Sequence, residues 1–156
     1  MNDQMAQRVD RFNALYGFYI DEKLEKWPSL FSEQCEYRIT SKQNELAGLP
    51  AGFLFFESRD AMDDRVASLL HSNIYPEMAL RHINAPCIIT EITDGVIHAS
   101  SNFVVFETRS QSDVFPYAAG RYIDELIENR DSGFEIRKRV CVIDNDIVRT
   151  LMAMPL

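Results

Sequence analysis

The fold prediction starts from the stretch Glu91-Ile92-Thr93-Asp94-Gly95-Val96-Ile97-His98, in which the dipeptide Asp94-Gly95 separates two runs rich in β-formers. An Asp-Gly pair supplies the positive φ angles of a two-residue hairpin turn, so the stretch predicts two antiparallel neighbouring strands. The second run continues as far as Arg109. It is long for a strand, since most strands span about 5–6 residues.

Further strands are predicted on the C-terminal side of this hairpin. Ser110–Asp113 is a polar turn, and Phe115–Ile127 is a strand with Gly120 inside it. An internal glycine often marks a bulge or a bend in a curved sheet. Asn129–Gly133 is the next turn, and Phe134–Asp144 is the last strand.

The last strand alternates between apolar and charged side chains, which predicts one buried and one exposed face. The expected buried face contains Phe134, Ile136, Val140 and Val142, and the expected exposed face contains Glu135, Arg137 and Arg139.

The N-terminal part of the chain predicts helices. Apolar residues recur at spacings of three and four through residues ~4–24, which is typical of an amphipathic helix. Trp27-Pro28 interrupts it, because proline disfavours a helical conformation at the preceding residue. A second long helix is predicted over residues ~60–73, with Asp60 as its cap.

The segments between the two helices are shorter. Cys35–Thr40 alternates and predicts a strand, and Asn44–Pro50 predicts a loop. Phe53–Phe56 is wholly apolar, and its periodicity does not distinguish a buried strand from the start of a helix.

Helices that precede long hairpin-linked strands indicate an α+β fold, with residues 1–156 as a single domain. Long, bent strands wrapped around an N-terminal helix would make a cone with an open mouth. Such a cone holds a ligand or is filled with side chains, and both alternatives remain open at this point.

Composition excludes several classes of protein. The net charge of −8 argues against a nucleic-acid partner, which would require clustered Lys and Arg. No apolar run approaches the roughly 20 residues that span a bilayer, and the N-terminus shows no secretory signal. The 3 cysteines, an odd number without a CxxC motif, fit reduced thiols and predict a cytoplasmic protein.

The sequence carries no metal or nucleophile motif. His71, His82 and His98 are not spaced as metal ligands, no Cys-x-His pair exists for a Rieske cluster, and no GxSxG is present. A general base inside the cone is the remaining enzyme hypothesis. The residues of suitable type are Tyr16, Tyr19, Asp21, Asp64 and His82, although core packing is the favoured interpretation of the two tyrosines.

Arg81-His82 and Arg65 are interpreted as structural or interface residues. Arg81-His82 adjoins a β-rich segment, where a buried or interfacial polar pair would fit, and Arg65 lies on the predicted second helix, within reach of a carboxylate. Ion pairing is the favoured role for these residues and a contact with another protein is the second.

An ordered set of short motifs resembles the small (β) subunit of aromatic-ring-hydroxylating dioxygenases over essentially the whole chain. The motifs are Trp27-Pro28-Ser29-Leu30-Phe31, Cys35-Glu36-Tyr37-Arg38-Ile39-Thr40, Asn44, Gly48-Leu49-Pro50, Glu57-Ser58-Arg59, Met62, Asp64-Arg65-Val66, Asn73-Ile74-Tyr75, Arg81-His82, Gly120-Arg121-Tyr122-Ile123-Asp124, Arg139-Val140, Asp144 and the run from Thr150 to Leu156.

The resemblance implies a nuclear-transport-factor-2-like (cystatin-like) cone, a curved antiparallel sheet wrapped around N-terminal helices. It implies a large (α) subunit as partner, which carries the Rieske [2Fe-2S] cluster and the mononuclear Fe(II), in an α3β3 hexamer with β3 self-association. The β subunit then carries no cofactor, no metal and no catalytic residue. Arg65, Tyr75, Arg81 and His82 are its interface or structural candidates.

The region Tyr37–Thr40 with Asn44 looks most like family members that act on aromatic carboxylates such as anthranilate, salicylate or terephthalate. The expected function is therefore support of an oxygenase that hydroxylates an aromatic carboxylate with O2 and electrons from NAD(P)H. Two alternatives stay open: a stand-alone cone isomerase or dehydratase with an Asp or His base, and a small-ligand binding module.

Overall fold

The computed structural model describes residues 3–50, 52–71, 78–131, 133–145 and 152–156. Within these ranges, three α-helices, one 3-10 helix and seven strands follow one another. Their order is α1 Asp3–Glu22, the 3-10 helix Leu24–Leu30, β1 Phe31–Ser41, α2 Lys42–Leu46, β2 Leu54–Ser58, α3 Arg59–His71, β3 Met78–Asn84, β4 Ile88–Thr93, β5 Val96–Arg109, β6 Val114–Asn129 and β7 Gly133–Ile143.

The seven strands form one sheet in the order β2-β1-β7-β6-β5-β3, and β4 pairs with β5 beside β3. Every pairing is antiparallel except that of β1 with β7, which is parallel. The parallel pair brings a strand from the N-terminal part of the chain beside the last strand. The α+β arrangement predicted from the order of elements is confirmed.

Helix α1 packs one apolar stripe against the sheet. Val9, Phe12, Tyr16 and Ile20 are buried at the spacing of three and four that the sequence predicted. The predicted interruption at Trp27-Pro28 is also confirmed, because both residues lie in the 3-10 helix that turns the chain into β1.

The predicted hairpin is the connection between β4 and β5. Asp94 and Gly95 have φ angles of 51° and 79°, the left-handed values that a tight two-residue turn requires. Thr93 pairs with Val96 directly across this turn.

Gly120 lies where β6 approaches β7 closely. A Cβ atom added there would overlap the main-chain oxygen of Val142 on β7, so only glycine allows this approach. Register shifts in the pairings of β5 with β6 and of β6 with β7 lie away from Gly120, and such bulges bend a sheet.

The structure resolves or corrects four local predictions. Phe53–Phe56, left open as strand or helix, contributes to strand β2, and the predicted loop from Asn44 begins inside the short helix α2. Helix α3 begins at Arg59, and Ser58 rather than Asp60 accepts the hydrogen bond from the Ala61 N–H. Its predicted last two residues, 72 and 73, lie outside the described residues, as does Tyr75.

The two faces predicted for β7 are wrong beyond Ile136. Leu126 pairs with Ile136, but the preceding Glu125 pairs with Lys138, so β7 has one extra residue at this point. Such a bulge reverses the alternation of side chains. Arg139, predicted to be exposed, is therefore buried inside the cone. Val140 and Val142 are buried as predicted, but they line hollows on the outer face of the sheet.

The core lies between the inner face of the sheet and the helices. Trp27, Phe31 and Tyr37 form a group of edge-to-face rings whose centroids are 5.2–5.8 Å apart. In the part of the chain that the structure describes, no helix is both long and apolar enough to cross a membrane.

Candidate functional site

The centre of the cone contains a charged pair. The Arg139 guanidinium donates to both carboxylate oxygens of Asp124, from Nε and Nη2, at 2.7 Å each, and Nη2 also donates to Oδ1 of Asn13 at 3.0 Å. Asn13 in turn donates to the Ser101 hydroxyl at 2.9 Å. All four residues are buried. Two-point contact with a carboxylate is the strongest geometry available to an arginine.

Two tyrosine rings enclose the same guanidinium. Its central carbon lies 4.0 Å from the ring centroid of Tyr16 and 4.2 Å from that of Tyr122. Burial by itself would lower the pKa of Arg139, but the adjacent Asp124 more than offsets this, so the pKa is raised and the guanidinium stays charged. The pair is neutral as a whole, and Asp124 is already occupied by its partner.

Residues 152–156 fill the space beside this pair. The Leu156 N–H donates to the Tyr37 hydroxyl oxygen at 2.8 Å, and the main-chain oxygen of Leu156 accepts from the Tyr16 hydroxyl. The Cys141 thiol lies 3.6 Å from the same oxygen. Leu156 is buried, and Met152 packs in the same core.

Burial keeps the Cys141 thiol and the tyrosine hydroxyls of this interior protonated at neutral pH. It raises the pKa of Cys141 to about 12 and raises the pKa values of Tyr16, Tyr37 and Tyr122 as well. A general base must be able to take up a proton near neutral pH, and none of these groups is available in that form. These interior groups therefore serve packing and polar contacts within the chain, and they do not act as a general base.

A second polar pair joins helix α1 to strand β3. The Nδ1 atom of His82 lies 2.6 Å from Oδ1 of Asp21, and the His82 backbone N–H donates to Oδ2 at 2.8 Å. Both side chains are buried. Gly17 permits this contact, because a Cβ atom there would lie 3.1 Å from the Cβ atom of His82.

An aspartate that orients a histidine is also the arrangement of many catalytic bases. Here the second ring nitrogen, Nε2 of His82, is buried as well and has no hydrogen-bond partner among the residues that the structure describes. A catalytic base must contact its substrate, and a buried Nε2 atom cannot do so. The burial of this atom therefore favours a structural role for the pair.

The structure brings only two of the five predicted base candidates together, Asp21 and His82. Tyr16 lies in the core as expected, Tyr19 is half-buried on α1, and Asp64 is exposed on α3. Within the described ranges, no group of three or more His, Cys, Asp or Glu side chains could hold a metal ion.

The interface candidates lie on two different surfaces. Arg81 is 62% exposed and forms a 2.8 Å ion pair with Glu22, adjacent to the buried His82 pair. The guanidinium carbon of Arg65 lies 5.8 Å from the ring centroid of Phe56, so Arg65 makes a cation–π contact. Tyr75 lies outside the described residues.

Sequence reasoning missed the interior pair of Arg139 and Asp124. An arginine inside the apolar run Val140–Ile143 and an aspartate within the preceding strand were the available signals. They were insufficient, because the bulge that turns Arg139 inward is not visible as a pattern.

Comparison with known proteins identifies the family. The family profile described as ring hydroxylating beta subunit matches residues 19–150. The small subunit of anthranilate 1,2-dioxygenase from Burkholderia cepacia is 37% identical over 144 residues, which cover 92% of this chain and 89% of that protein. The subunit beta 1 of the terminal oxygenase component of terephthalate 1,2-dioxygenase from Comamonas is 32% identical over 96% of this chain and 97% of its own.

Solved structures agree with this assignment. A chain from Novosphingobium aromaticivorans, assigned as the β subunit of an aromatic-ring-hydroxylating dioxygenase, is 32% identical with a TM-score of 0.87, over 96% of this chain and 95% of its own. A chain from the same organism, assigned as a scytalone dehydratase, is 14% identical with a TM-score of 0.67, over 95% of this chain and 89% of its own.

At 14% identity the dehydratase shares the fold alone, which is the nuclear-transport-factor-2-like cone predicted from the sequence. The relatives with more than 30% identity cover nearly the whole of both chains, and they are dioxygenase small subunits. The chain belongs to the family of β subunits of aromatic-ring-hydroxylating dioxygenases.

Proposed function

We propose that this β subunit supports a Rieske oxygenase of aromatic carboxylates without contributing a group to the reaction. The two relatives named above are subunits of an anthranilate and a terephthalate dioxygenase, and both of these compounds are aromatic carboxylates. The large subunit of the oxygenase is the partner that membership in this family implies.

The filled interior of the cone is the observation that carries the proposal. Tyr16 and Tyr37 bind main-chain atoms of Leu156, and Arg139 and Asp124 bind each other. A cone that acts on a small substrate needs an unfilled cavity in its interior, with polar groups that converge on the substrate. Here the Asp124 carboxylate and the hydroxyls of Tyr16 and Tyr37 are bound by the chain itself. Among the described residues, Nη1 of Arg139 and the Tyr122 hydroxyl are buried without a hydrogen-bond partner.

The cofactors of the reaction belong to the large subunit in this proposal. The large subunit would hold a Rieske [2Fe-2S] cluster and a mononuclear Fe(II), which would supply the electron transfer from NAD(P)H and the O2 chemistry of the reaction. The β subunit then acts by holding large subunits in place.

We further propose a β3 trimer, an α3β3 hexamer with the large subunit, and residues 1–156 as one domain. Strand β5 supports association: Phe103 and Val105 are buried inside the cone, while Val104 and Phe106 are half-buried on the outer face. Apolar side chains on both faces of a strand favour a covering layer on each side. The free thiols of Cys35, Cys87 and Cys141 support a cytoplasmic location.

Arg65, Tyr75, Arg81 and His82 are proposed to act in assembly or structure. Arg81 supports this role most directly, because its guanidinium is exposed on the surface beside the buried His82 pair. An exposed ion pair contributes only about 0–1 kcal/mol to the fold itself.

The Asp21–His82 pair is the single observation that favours the alternative, a cone enzyme with an Asp–His base. Opposing this alternative, the free ring nitrogen is buried and the interior is occupied.

The proposal is tested by expressing the chain alone and together with its large subunit. We expect the isolated chain to be colourless, free of stoichiometric iron and trimeric by light scattering. The co-expressed chains should form a coloured hexamer that hydroxylates an aromatic carboxylate. Stoichiometric iron in the isolated chain, lost in His82→Ala, would overturn the proposal, and so would a monomer that does not associate with the large subunit.

A further inference from the structure

Four large apolar side chains that are close in sequence are exposed at the edge of the sheet formed by β2. They lie on α2, on the loop after it and at the start of β2, and they are between 44% and 78% exposed: Leu46, Leu49, Phe53 and Phe55. We call these four residues the apolar platform. Single exposed apolar residues are ordinary, but a cluster of this kind marks a binding surface.

The platform is held rigidly by contacts beneath it. Arg38, whose side chain is only 13% exposed, forms an ion pair with Glu45 at 3.3 Å and donates to the main-chain oxygen of Leu49 at 3.2 Å. The Ser41 hydroxyl caps α2 by accepting from the Asn44 N–H. These contacts hold the backbone that carries Leu46 and Leu49, and a backbone held in place loses less entropy when a partner binds.

An open hollow of about 560 Å³ lies within this surface. Leu49, Pro50 and Phe55 form its apolar part, and the carboxylates of Glu36, Glu45 and Glu57 surround it. Apolar centres with polar rims are the usual anatomy of protein interfaces, and a hollow of this kind receives an apolar side chain of the partner.

The charge of the rim indicates what kind of surface binds. Glu36 pairs with Arg38 and with Lys138, and Glu45 pairs with Arg38. Glu57 is exposed and has no ion pair among the described residues, so three carboxylates face two cations and the rim stays acidic. Two copies of this chain that met face to face here would oppose acidic rims, in a protein whose net charge is already −8. Like charges across an interface are unfavourable, so the partner surface should carry Lys or Arg.

Two other groups of exposed apolar side chains, on β3 with β4 and at the start of β6, do not supply such a surface. In the described part of the chain, Ile83, Ile88 and Ile92 on β3 and β4 lie near Glu91 and an Arg81 that is already paired with Glu22. Val114 and Phe115 follow Asp113, and the nearby Arg109 is paired with Glu107.

We propose that the apolar platform is the surface on which the large subunit of the oxygenase binds, through an apolar side chain flanked by basic residues. This inference rests on the proposed function and names the surface that serves it. It assigns the platform to the large subunit rather than to a second copy of the β subunit.

Substitutions on the platform test the inference, with a matched control elsewhere. Phe55→Glu and Leu46→Glu are each co-expressed with an affinity-tagged large subunit, beside Phe18→Glu. Phe18 on α1 and Phe55 on β2 are both 50% exposed, so the control matches residue type and exposure. We expect at least tenfold less β subunit per large subunit with the two platform variants and wild-type recovery with Phe18→Glu.

Circular dichroism, thermal unfolding and light scattering of the isolated variants separate the alternatives. We expect all three variants to match the wild-type chain in fold and oligomeric state. Wild-type recovery of Phe55→Glu and Leu46→Glu would overturn the inference. A lower oligomeric state of isolated Phe55→Glu would also overturn it, because the platform would then join copies of this chain. Failure of the wild-type chain itself to bind the large subunit would contradict the proposed function and this inference with it.

A charge reversal tests the complementarity separately. Glu57→Lys removes an exposed rim charge without breaking a recorded contact. We expect several-fold weaker binding at low salt and little difference at high salt, because the screening length falls from about 10 Å at 0.1 M to about 3 Å at 1 M. Equal or tighter binding of Glu57→Lys at low salt would overturn the basic character of the partner surface.

Discussion

Arg139 on β7 and Asp124 on β6 are joined by two 2.7 Å hydrogen bonds inside the cone, where both side chains are almost completely buried. The rings of Tyr16 and Tyr122 cover the two sides of the guanidinium. A cavity that could have held a substrate therefore contains a neutralised charge pair. This relationship connects the fold to the supporting role, because the groups that could act on a ligand are bound to one another.

Arg139→Met is expected to destabilise the isolated chain by about 3–5 kcal/mol, because it leaves the carboxylate of Asp124 buried without a partner. Arg137→Met is the control, since Arg137 lies on the same strand and is exposed. It should change the free energy of unfolding by no more than about 0.5 kcal/mol. Urea unfolding measures both.

The double variant Arg139→Met with Asp124→Leu should recover most of that loss, because well-packed apolar side chains replace a buried ion pair at little cost. A single Arg139→Met variant within about 1 kcal/mol of wild type would contradict the buried pair.

Leu156→Ala should cost about 2–5 kcal/mol of stability, the range for truncating a buried leucine. Leu46→Ala makes the same chemical change at a side chain that is 78% exposed, so it should leave the stability nearly unchanged. Equal effects of the two substitutions in urea unfolding would show that Leu156 does not pack inside the cone.

Stability should fall as the pH rises above about 9, and Cys141 should account for part of the fall. Burial raises the pKa of this thiol from an ordinary 9.0 to about 12, so between these values the unfolded chain loses a proton that the folded chain keeps. The free energy of unfolding then decreases by about 1.4 kcal/mol per pH unit for each such group.

The matched measurement compares wild type with Cys141→Ala in urea at pH 7 to 10.5. The variant should show a shallower decrease above pH 9 and the same slope as wild type below pH 8. Identical slopes above pH 9 would mean that the thiol is not held in its protonated form.

Local patterns predicted the elements whose structure depends on local chemistry. Asp94-Gly95 forms a hairpin because its positive φ angles are a property of the dipeptide itself. The stripe of Val9, Phe12 and Tyr16 is buried because a helix repeats every 3.6 residues wherever it packs. The family resemblance identified the predicted cone as nuclear-transport-factor-2-like, which the comparisons confirm.

Features that depend on register between distant strands were not predictable from one sequence. The inward side chain of Arg139 results from a bulge opposite Glu125 and Leu126. Both members of the Asp21–His82 pair were candidates, but their contact joins α1 to β3, and no local pattern predicts that pairing.

The most direct test of the supporting role is turnover per Rieske cluster in hexamers that contain His82→Ala or Arg81→Ala. We predict that these variants lower the yield of hexamer, most strongly for His82, whose removal leaves Asp21 buried and unpaired. The hexamer that does form should turn over at the wild-type rate per cluster. Unchanged hexamer yield with a loss of roughly a hundredfold or more per cluster, the effect of removing a general acid or base, would contradict the account.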